Sequence, residues 1–202
     1  MVLERLVAGV LAAMSDPATT PSPASTDGAL RVNPSVVTQL DALPDIPKKL
    51  HMFWPDKDVV NSEDEMVVHG IRKMIDLNPD WSWKVYDHAD IDEYIKRELD
   101  RDAPVLSASD VALVLQAHIV ERTDAARLLI MWHEGGFYQD TDRVYNVPMS
   151  EVLRPGVKMV IQTLYNSNFM QDQMCTAPGN PVIKAAIDIA WKMRRAAPRV
   201  NG

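Results

Sequence analysis

The sequence predicts a layered α/β fold built on a mostly parallel sheet, and two observations carry this prediction. Short apolar runs of strand length alternate along the chain with longer segments whose apolar residues recur at helical spacing. Such alternation is typical of helices packed on a sheet, because each helix buries its apolar stripe against a sheet face. The 202 residues suit a single domain, and 47% apolar with 24% charged residues exclude a disordered chain.

The first half of the chain supplies two strands, each followed by a helix. A strand is predicted over 49–54, where the segment becomes wholly apolar. A helix follows, with Ser62 as its N-cap and Pro79 just beyond its end, and then a strand over 83–86. A capping-box pattern that begins at Asp90 opens the second helix.

The second half continues the alternation. Residues 110–134 are helix-prone throughout and end at a double glycine, which predicts one long helix. A short strand over 136–139 follows directly, and further strands are predicted over 158–163 and 168–174. Asn180, with a proline after it, opens a final helix.

The N-terminal part differs in composition from the rest. Residues 6–14 form a short amphipathic piece, and 15–33 are rich in Pro, Ser, Thr and Ala, a composition that favours a flexible linker. An apolar run of this length is about half of what crosses a bilayer, so no transmembrane span is predicted. We therefore expect an N-terminal piece and linker over 1–33 and one domain over 34–202.

Charge and cysteine content limit the partners and the compartment. The 21 basic and 28 acidic side chains give a net charge of −7, which disfavours a nucleic-acid partner. The single cysteine, Cys175, excludes an intrachain disulfide and is typical of a reducing compartment. The sequence therefore predicts a cytoplasmic location, while a Golgi lumen or secretion stays open.

One pair of aspartates stands in a context that indicates chemistry. Two carboxylates at i and i+2 of an extended segment project to the same side and can share a hard divalent cation. Only Asp140 and Asp142 directly follow a helix, the double glycine at 135–136 and a short aromatic strand, at the carboxyl edge where α/β sheets bind ligands. The other pairs with this spacing are Asp56/Asp58, Asp90/Asp92 and Asp100/Asp102.

Asp124 and Arg127, three apart on the predicted long helix, share a face and precede the aspartate pair. The sequence TDAAR over 123–127, followed by GGFYQDTD over 135–142, resembles the SD-x-x-R and GG-x-Y-x-D-x-D signature of the DXD glycosyltransferases. That family includes fungal-type initiating mannosyltransferases and the clostridial glucosylating toxins. Residues 46–54 and 168–181 resemble its first strand and a later segment, so the match covers 46–195.

The resemblance implies a GT-A-like, single-domain fold and a hexosyltransferase that retains anomeric configuration. Its donor would be a nucleoside-diphosphate sugar of the UDP-glucose or GDP-mannose type, its cofactor Mn²⁺ or Mg²⁺, and its acceptor an unidentified glycan or protein. The implied roles are base stacking for Trp54, sugar hydroxyl binding for Asp124 and Arg127, donor and metal binding for Asp140, direct metal ligation for Asp142, and a polar group at the anomeric carbon for Asn168.

Two departures from the family pattern leave alternatives open. Asn180 stands where the family has a histidine, and the family continues beyond the position of Gly202, which implies a domain truncated at its C-terminal end. A non-catalytic module that binds nucleotide sugars or glycans is therefore the first alternative. The second is a phosphohydrolase of the haloacid-dehalogenase type, because DTDRV over 140–144 also fits that nucleophile loop.

Overall fold

The structure is a computed structural model that describes residues 34–55, 58–59, 62–164 and 168–196, with side chains except at 34–37 and 162–170. The helices are α1 (Pro34–Asp41), α2 (Glu65–Leu77), α3 (His88–Lys96), α4 (Ala108–Leu115), α5 (Ile119–His133), α6 (Met149–Val152) and α7 (Pro181–Ala196). The strands are β1 (Lys49–Phe53), β2 (Ser82–Tyr86), β3 (Gly136–Gln139), β4 (Met159–Leu164) and β5 (Asn168–Thr176). The N-terminal piece and linker predicted over 1–33 lie outside the described residues.

The described strands form a five-stranded sheet in the order β2-β1-β3-β5-β4. Strand β1 pairs in parallel with β2 and β3, whereas β5 is antiparallel to both β3 and β4. All strands except β5 therefore run in one direction, which confirms the predicted mostly parallel sheet. The carboxyl ends of β1, β2 and β3 lie at the same edge. No helix in the described part of the chain is long and apolar enough to span a membrane.

Helices pack on both faces of the sheet. Neighbouring residues of β3 enter different cores, since Phe137 belongs to a cluster with Met74 of α2, and Tyr138 to one with Ile130 of α5. This division follows from the alternation of side chains along a strand. Cys175 is buried in the first cluster, and burial raises the pKa of its thiol to about 12.

The segment predicted as one long helix is broken in two. Helix α4 ends at Leu115, and α5 begins after His118, whose extended backbone and Nδ1 atom cap the amide of Val120 at 3.4 Å. Helix α5 is buried from Ala125 to Met131 without interruption, so it contacts its neighbours around its circumference and not along one apolar stripe.

Two helix starts also differ from the prediction. Asp64, not Ser62, caps α2, because its Oδ1 accepts the amides of Met66 and Val67 at 3.1 and 3.2 Å. A capping box between Asp87 and Asp90 opens α3, three residues before the predicted one. In both places a carboxylate satisfies helix amides that would otherwise lack partners.

A buried histidine supports the turn between α5 and β3. His51 on β1 contacts the Tyr86 hydroxyl through Nδ1 at 3.0 Å and the Gly135 carbonyl through Nε2 at 2.9 Å. Burial lowers the pKa of His51 from 6.5 to about 4. The folded ring is therefore neutral at neutral pH.

The free energy of unfolding is expected to fall as the pH is lowered from 6.5 to about 4. In this window the unfolded chain protonates His51 and the folded chain does not, so stability is present above 6.5 and is lost on acidification, by up to about 3 kcal/mol for this group. Urea denaturation at a series of pH values measures the slope. His51→Gln should show a shallower slope, and equal slopes in both proteins would contradict the assignment.

Candidate active site

A tight turn at the carboxyl end of β3 carries the aspartate pair. The amide of Arg143 donates to the Asp140 carbonyl at 3.1 Å and closes the turn. The Asp140 amide donates to the Asp172 carbonyl at 2.8 Å, and Thr141 Oγ1 donates to the Phe53 carbonyl at 3.3 Å. The turn is therefore attached to β5 on one side and to the end of β1 on the other.

Helix α2 approaches the same turn at a glycine. A Cβ atom at Gly70 would lie 2.8 Å from the carbonyl oxygen of Arg143 and 3.3 Å from that of Thr141. A larger residue in this place would displace the backbone of the turn. The absence of a side chain at Gly70 therefore leaves room for the backbone of the turn.

Arg127 of α5 joins the two groups of acidic residues that the sequence singles out. Its Nη2 lies 3.5 Å from Asp124 Oδ1 and 3.2 Å from Asp140 Oδ1, and its Nη1 donates to the Gln171 carbonyl at 3.1 Å. The guanidinium carbon lies 4.4 Å from the centre of the Tyr138 ring. With a side chain only 7% exposed, Arg127 is held in one place by these four partners.

The carboxylates beside Arg127 sit in an environment that disfavours their charge. Burial raises the pKa of Asp140, while Arg127 and the hydroxyl of Tyr138, which donates to Asp140 Oδ1, act in the opposite direction. Burial likewise raises the pKa of Asp124 against the effect of Arg127. One guanidinium between two carboxylates leaves a net negative site that suits sugar hydroxyls and cations.

A cavity of about 300 Å³ opens beside this cluster. Trp54, Asp124 and Arg127 line it together, with Phe53 and Tyr86 as part of its aromatic wall. The volume is at the lower end for small-molecule pockets, about 300–1,000 Å³. The structure therefore brings three of the four residues expected to bind the donor to one cavity, and the fourth, Asp140, contacts Arg127.

Asp142 differs from Asp140 in its surroundings. Its side chain is 69% exposed, and its Oδ1 lies 3.8 Å from Arg143 Nε. The i and i+2 spacing predicts extended backbone through both aspartates, but β3 ends at Gln139 and the pair lies in the turn. Asp140 and Asp142 therefore lie close in sequence within a turn, without the strand geometry that projects side chains i and i+2 to the same side.

The two carboxylates fit a divalent cation as a partial ligand set. The described residues contain no group of three or more His, Cys, Asp or Glu side chains able to hold a metal ion. Mg²⁺ sites next to phosphates commonly use one or two carboxylates, and the substrate and water supply the other oxygens. Asp140 and Asp142 match that type of site.

The remaining candidate, Asn168, begins β5, and its side chain lies outside the described part of the chain. Its role stays a prediction. Two residues that sequence reasoning missed lie further along β5: Gln171, whose carbonyl accepts from Arg127, and Asp172, which pairs with Arg143 Nε at 2.8 Å. Asp172 lies between two glutamines in a strand with several polar residues, so the local sequence carries no signal that singles it out.

The fold resembles that of a solved glycosyltransferase. The PaToxG glycosyltransferase superposes on 83% of this chain and 69% of its own chain, with a TM-score of 0.52 and 17% sequence identity. That likeness shows the fold, and it confirms the predicted α/β, GT-A-like architecture.

The family follows from the sequence itself. Residues 62–162, half of the chain, match the model described as the glycosyltransferase sugar-binding region containing a DXD motif, and the chain belongs to this family. The match includes the helix with Arg127 and the turn with Asp140 and Asp142. The phosphohydrolase alternative has no support in this family.

Two curated relatives are similar over part of their length. A mannosyl phosphorylinositol ceramide synthase of Saccharomyces cerevisiae is 31% identical over 97 residues, 48% of this chain and 23% of its own length. An inositol phosphoceramide mannosyltransferase of Schizosaccharomyces pombe is 22% identical over 142 residues, 70% of this chain and 42% of its own length. The chain thus spans less than half of either relative.

Proposed function

We propose that the chain binds a nucleoside-diphosphate sugar and transfers its sugar in a reaction that depends on Mn²⁺ or Mg²⁺. The observation that carries this proposal is the placement of Arg127, which links Asp124 at the cavity wall to Asp140 at the DXD turn. Such a cluster gives sugar hydroxyls charged partners in fixed positions. The names of the two relatives favour mannose, so GDP-mannose is the first donor to test and UDP-glucose the second.

In this proposal each residue has a defined task. Trp54 offers its ring to the base, Asp124 and Arg127 bind the sugar hydroxyls, and Tyr138 orients Asp140 through its hydroxyl. Asp140 and Asp142 would hold the divalent cation, which when bound neutralises charge on the diphosphate leaving group. Asn168 supplies a polar group near the anomeric carbon of the donor sugar.

The finer features of the reaction rest on resemblance. Retention of configuration follows the DXD glycosyltransferases to which the motifs are similar. The names of both relatives contain an inositol phosphoceramide or its mannosylated form. Inositol phosphoceramide is therefore the acceptor to test first, before glycans or proteins. The cytoplasmic location and the domain limits at 34–202 remain predictions.

Asp142→Asn is expected to abolish the metal-dependent part of donor binding and to leave the folded protein intact. The side chain is largely exposed, so the amide should change the unfolding temperature of the free protein little. In the unchanged protein, donor at a hundredfold excess over its dissociation constant should add about 2.7 kcal/mol of stability. Thermal unfolding with GDP-mannose or UDP-glucose, each with Mn²⁺ or with chelator, measures this gain, and release of free sugar measures turnover.

Asp188→Asn is the matched control, because Asp188 is an exposed carboxylate of α7 paired with Lys184. It should keep the full metal-dependent gain. A gain that persists in chelator, or in Asp142→Asn, would contradict the proposal. Metal-dependent binding without turnover over hours would favour the non-catalytic binding module.

A further inference from the structure

Arg143, the residue that follows the DXD motif, forms an ion pair through its Nε atom. Arg143 Nε lies 2.8 Å from Oδ2 of Asp172, a carboxylate with a side chain only 8% exposed. The other oxygen of this carboxylate, Oδ1, is buried and has no hydrogen-bond partner among the described residues. A buried carboxylate with few other partners holds a cation strongly, because separating them would leave an unpaired charge.

The backbone of Arg143 is fixed as well. Its carbonyl accepts from Gln139 Nε2 at 2.9 Å, and its amide donates to Asp140. Gly70 of α2 lies against the same carbonyl. The backbone of Arg143 and its Nε atom therefore both have defined positions.

The outer end of the guanidinium is available. Among the described residues neither Nη atom of Arg143 has a hydrogen-bond partner. Both carboxylates paired with this arginine are contacted through Nε, and the side chain is 47% exposed. It lines a cavity of about 330 Å³ together with Asp172 and Gln173. Nε lies 3.8 Å from Asp142 Oδ1, so the free Nη atoms lie close to the proposed metal ligand.

We propose that Arg143 binds the diphosphate of the donor through its two Nη atoms. This inference rests on the proposed function, because a cation held by Asp142 would bring the diphosphate close to Arg143. The planar fork of arginine matches phosphate oxygens, and anchoring through Nε reduces the entropy lost when Nη binds. The charge on the diphosphate grows as the glycosidic bond breaks, so this contact strengthens toward the transition state.

The test compares three ligands that differ only in their phosphates. Calorimetry with guanosine, GMP and GDP in Mn²⁺, or the uridine series if UDP-sugars stabilise the protein, separates binding of the base from binding of the phosphates. Arg143→Gln should weaken diphosphate binding by about tenfold or more, since a hydrogen bond to a charged group contributes about 1.5–3 kcal/mol. Nucleoside binding should stay unchanged.

Two further variants separate ligand binding from structure. Arg143→Lys retains a charge for Asp172 but lacks the fork, so it should keep the unfolding temperature and lose part of the diphosphate affinity. Arg101→Gln is the matched control, because Arg101 Nε also lies 2.8 Å from a buried carboxylate oxygen, in Glu98. It should reduce stability and leave the ratio of GDP to guanosine affinity unchanged.

The outcomes distinguish this inference from the proposed function. Unchanged GDP affinity in Arg143→Gln and Arg143→Lys would overturn the inference, as would an equal loss for guanosine and GDP. A selective loss for GDP supports it. If the unaltered protein binds neither the guanosine nor the uridine series, the proposed function itself fails.

Discussion

Arg127→Leu is expected to lose about 2–3 kcal/mol of the free energy of unfolding and to abolish donor binding. The variant would leave Asp124 and Asp140 close together without the Arg127 guanidinium between them. Removing one partner of a fully buried ion pair costs about 3–5 kcal/mol of the free energy of unfolding. The lower value applies because both carboxylates retain some contact with solvent, which screens their charge. Urea denaturation measures the stability, and thermal unfolding with donor and Mn²⁺ measures binding.

Arg122→Leu supplies the matched comparison on the same helix. Arg122 Nη1 binds both carboxylate oxygens of Asp92 at 2.6 Å, but this pair lies nearer the surface. Its loss should cost less than about 1 kcal/mol and leave donor binding intact. If both variants lose the same stability, or if Arg127→Leu still binds donor, Arg127 does not have the central place assigned to it.

Gly136→Ala is expected to destabilise the protein by more than about 3 kcal/mol. Gly136 has a φ of +98°, and a Cβ atom would lie 2.6 Å from the Lys49 carbonyl oxygen on β1. The substitution therefore combines backbone strain of about 1–3 kcal/mol with an overlap that pushes β3 away from β1. Denaturant unfolding gives the loss, and a fall in metal-dependent donor binding should accompany it because β3 carries the DXD turn.

Gly156→Ala separates strain from overlap. Its φ is +83°, but a Cβ atom there would meet no atom of the described part of the chain within 4 Å. The loss should be about 1–2 kcal/mol, from backbone strain alone. Equal losses at the two positions would show that space beside β1 is not what requires glycine at 136.

Local pattern was sufficient to predict the strands and the helix that precede the site. The apolar run before Pro55 and the double glycine before β3 are strong signals because they reflect burial and a positive φ, which few other arrangements satisfy. The same context selected Asp140 among several aspartate pairs. The structure places Arg127 Nη2 of α5 at 3.2 Å from Asp140 Oδ1, and the roles of these residues stay predictions.

Other features were not predicted. The break at His118 depends on a local cap, the bond from the Val120 amide to His118 Nδ1, in a segment where helix propensity is continuous. The pairing of Arg143 with Asp172 depends on distant parts of the chain, since it requires β5 to lie antiparallel beside β3. The turn at Asp142 also departs from the strand geometry that period-two spacing assumed.

The antiparallel course of β5 also affects how the site moves. The backbone ladder continues one residue past β3, through the bond from the Asp140 amide to the Asp172 carbonyl. We therefore expect that amide to exchange its hydrogen more slowly than the amides of the exposed turn. The position of Asp140 is therefore tied to the sheet, whereas the solvent-facing side chain of Asp142 can adjust locally.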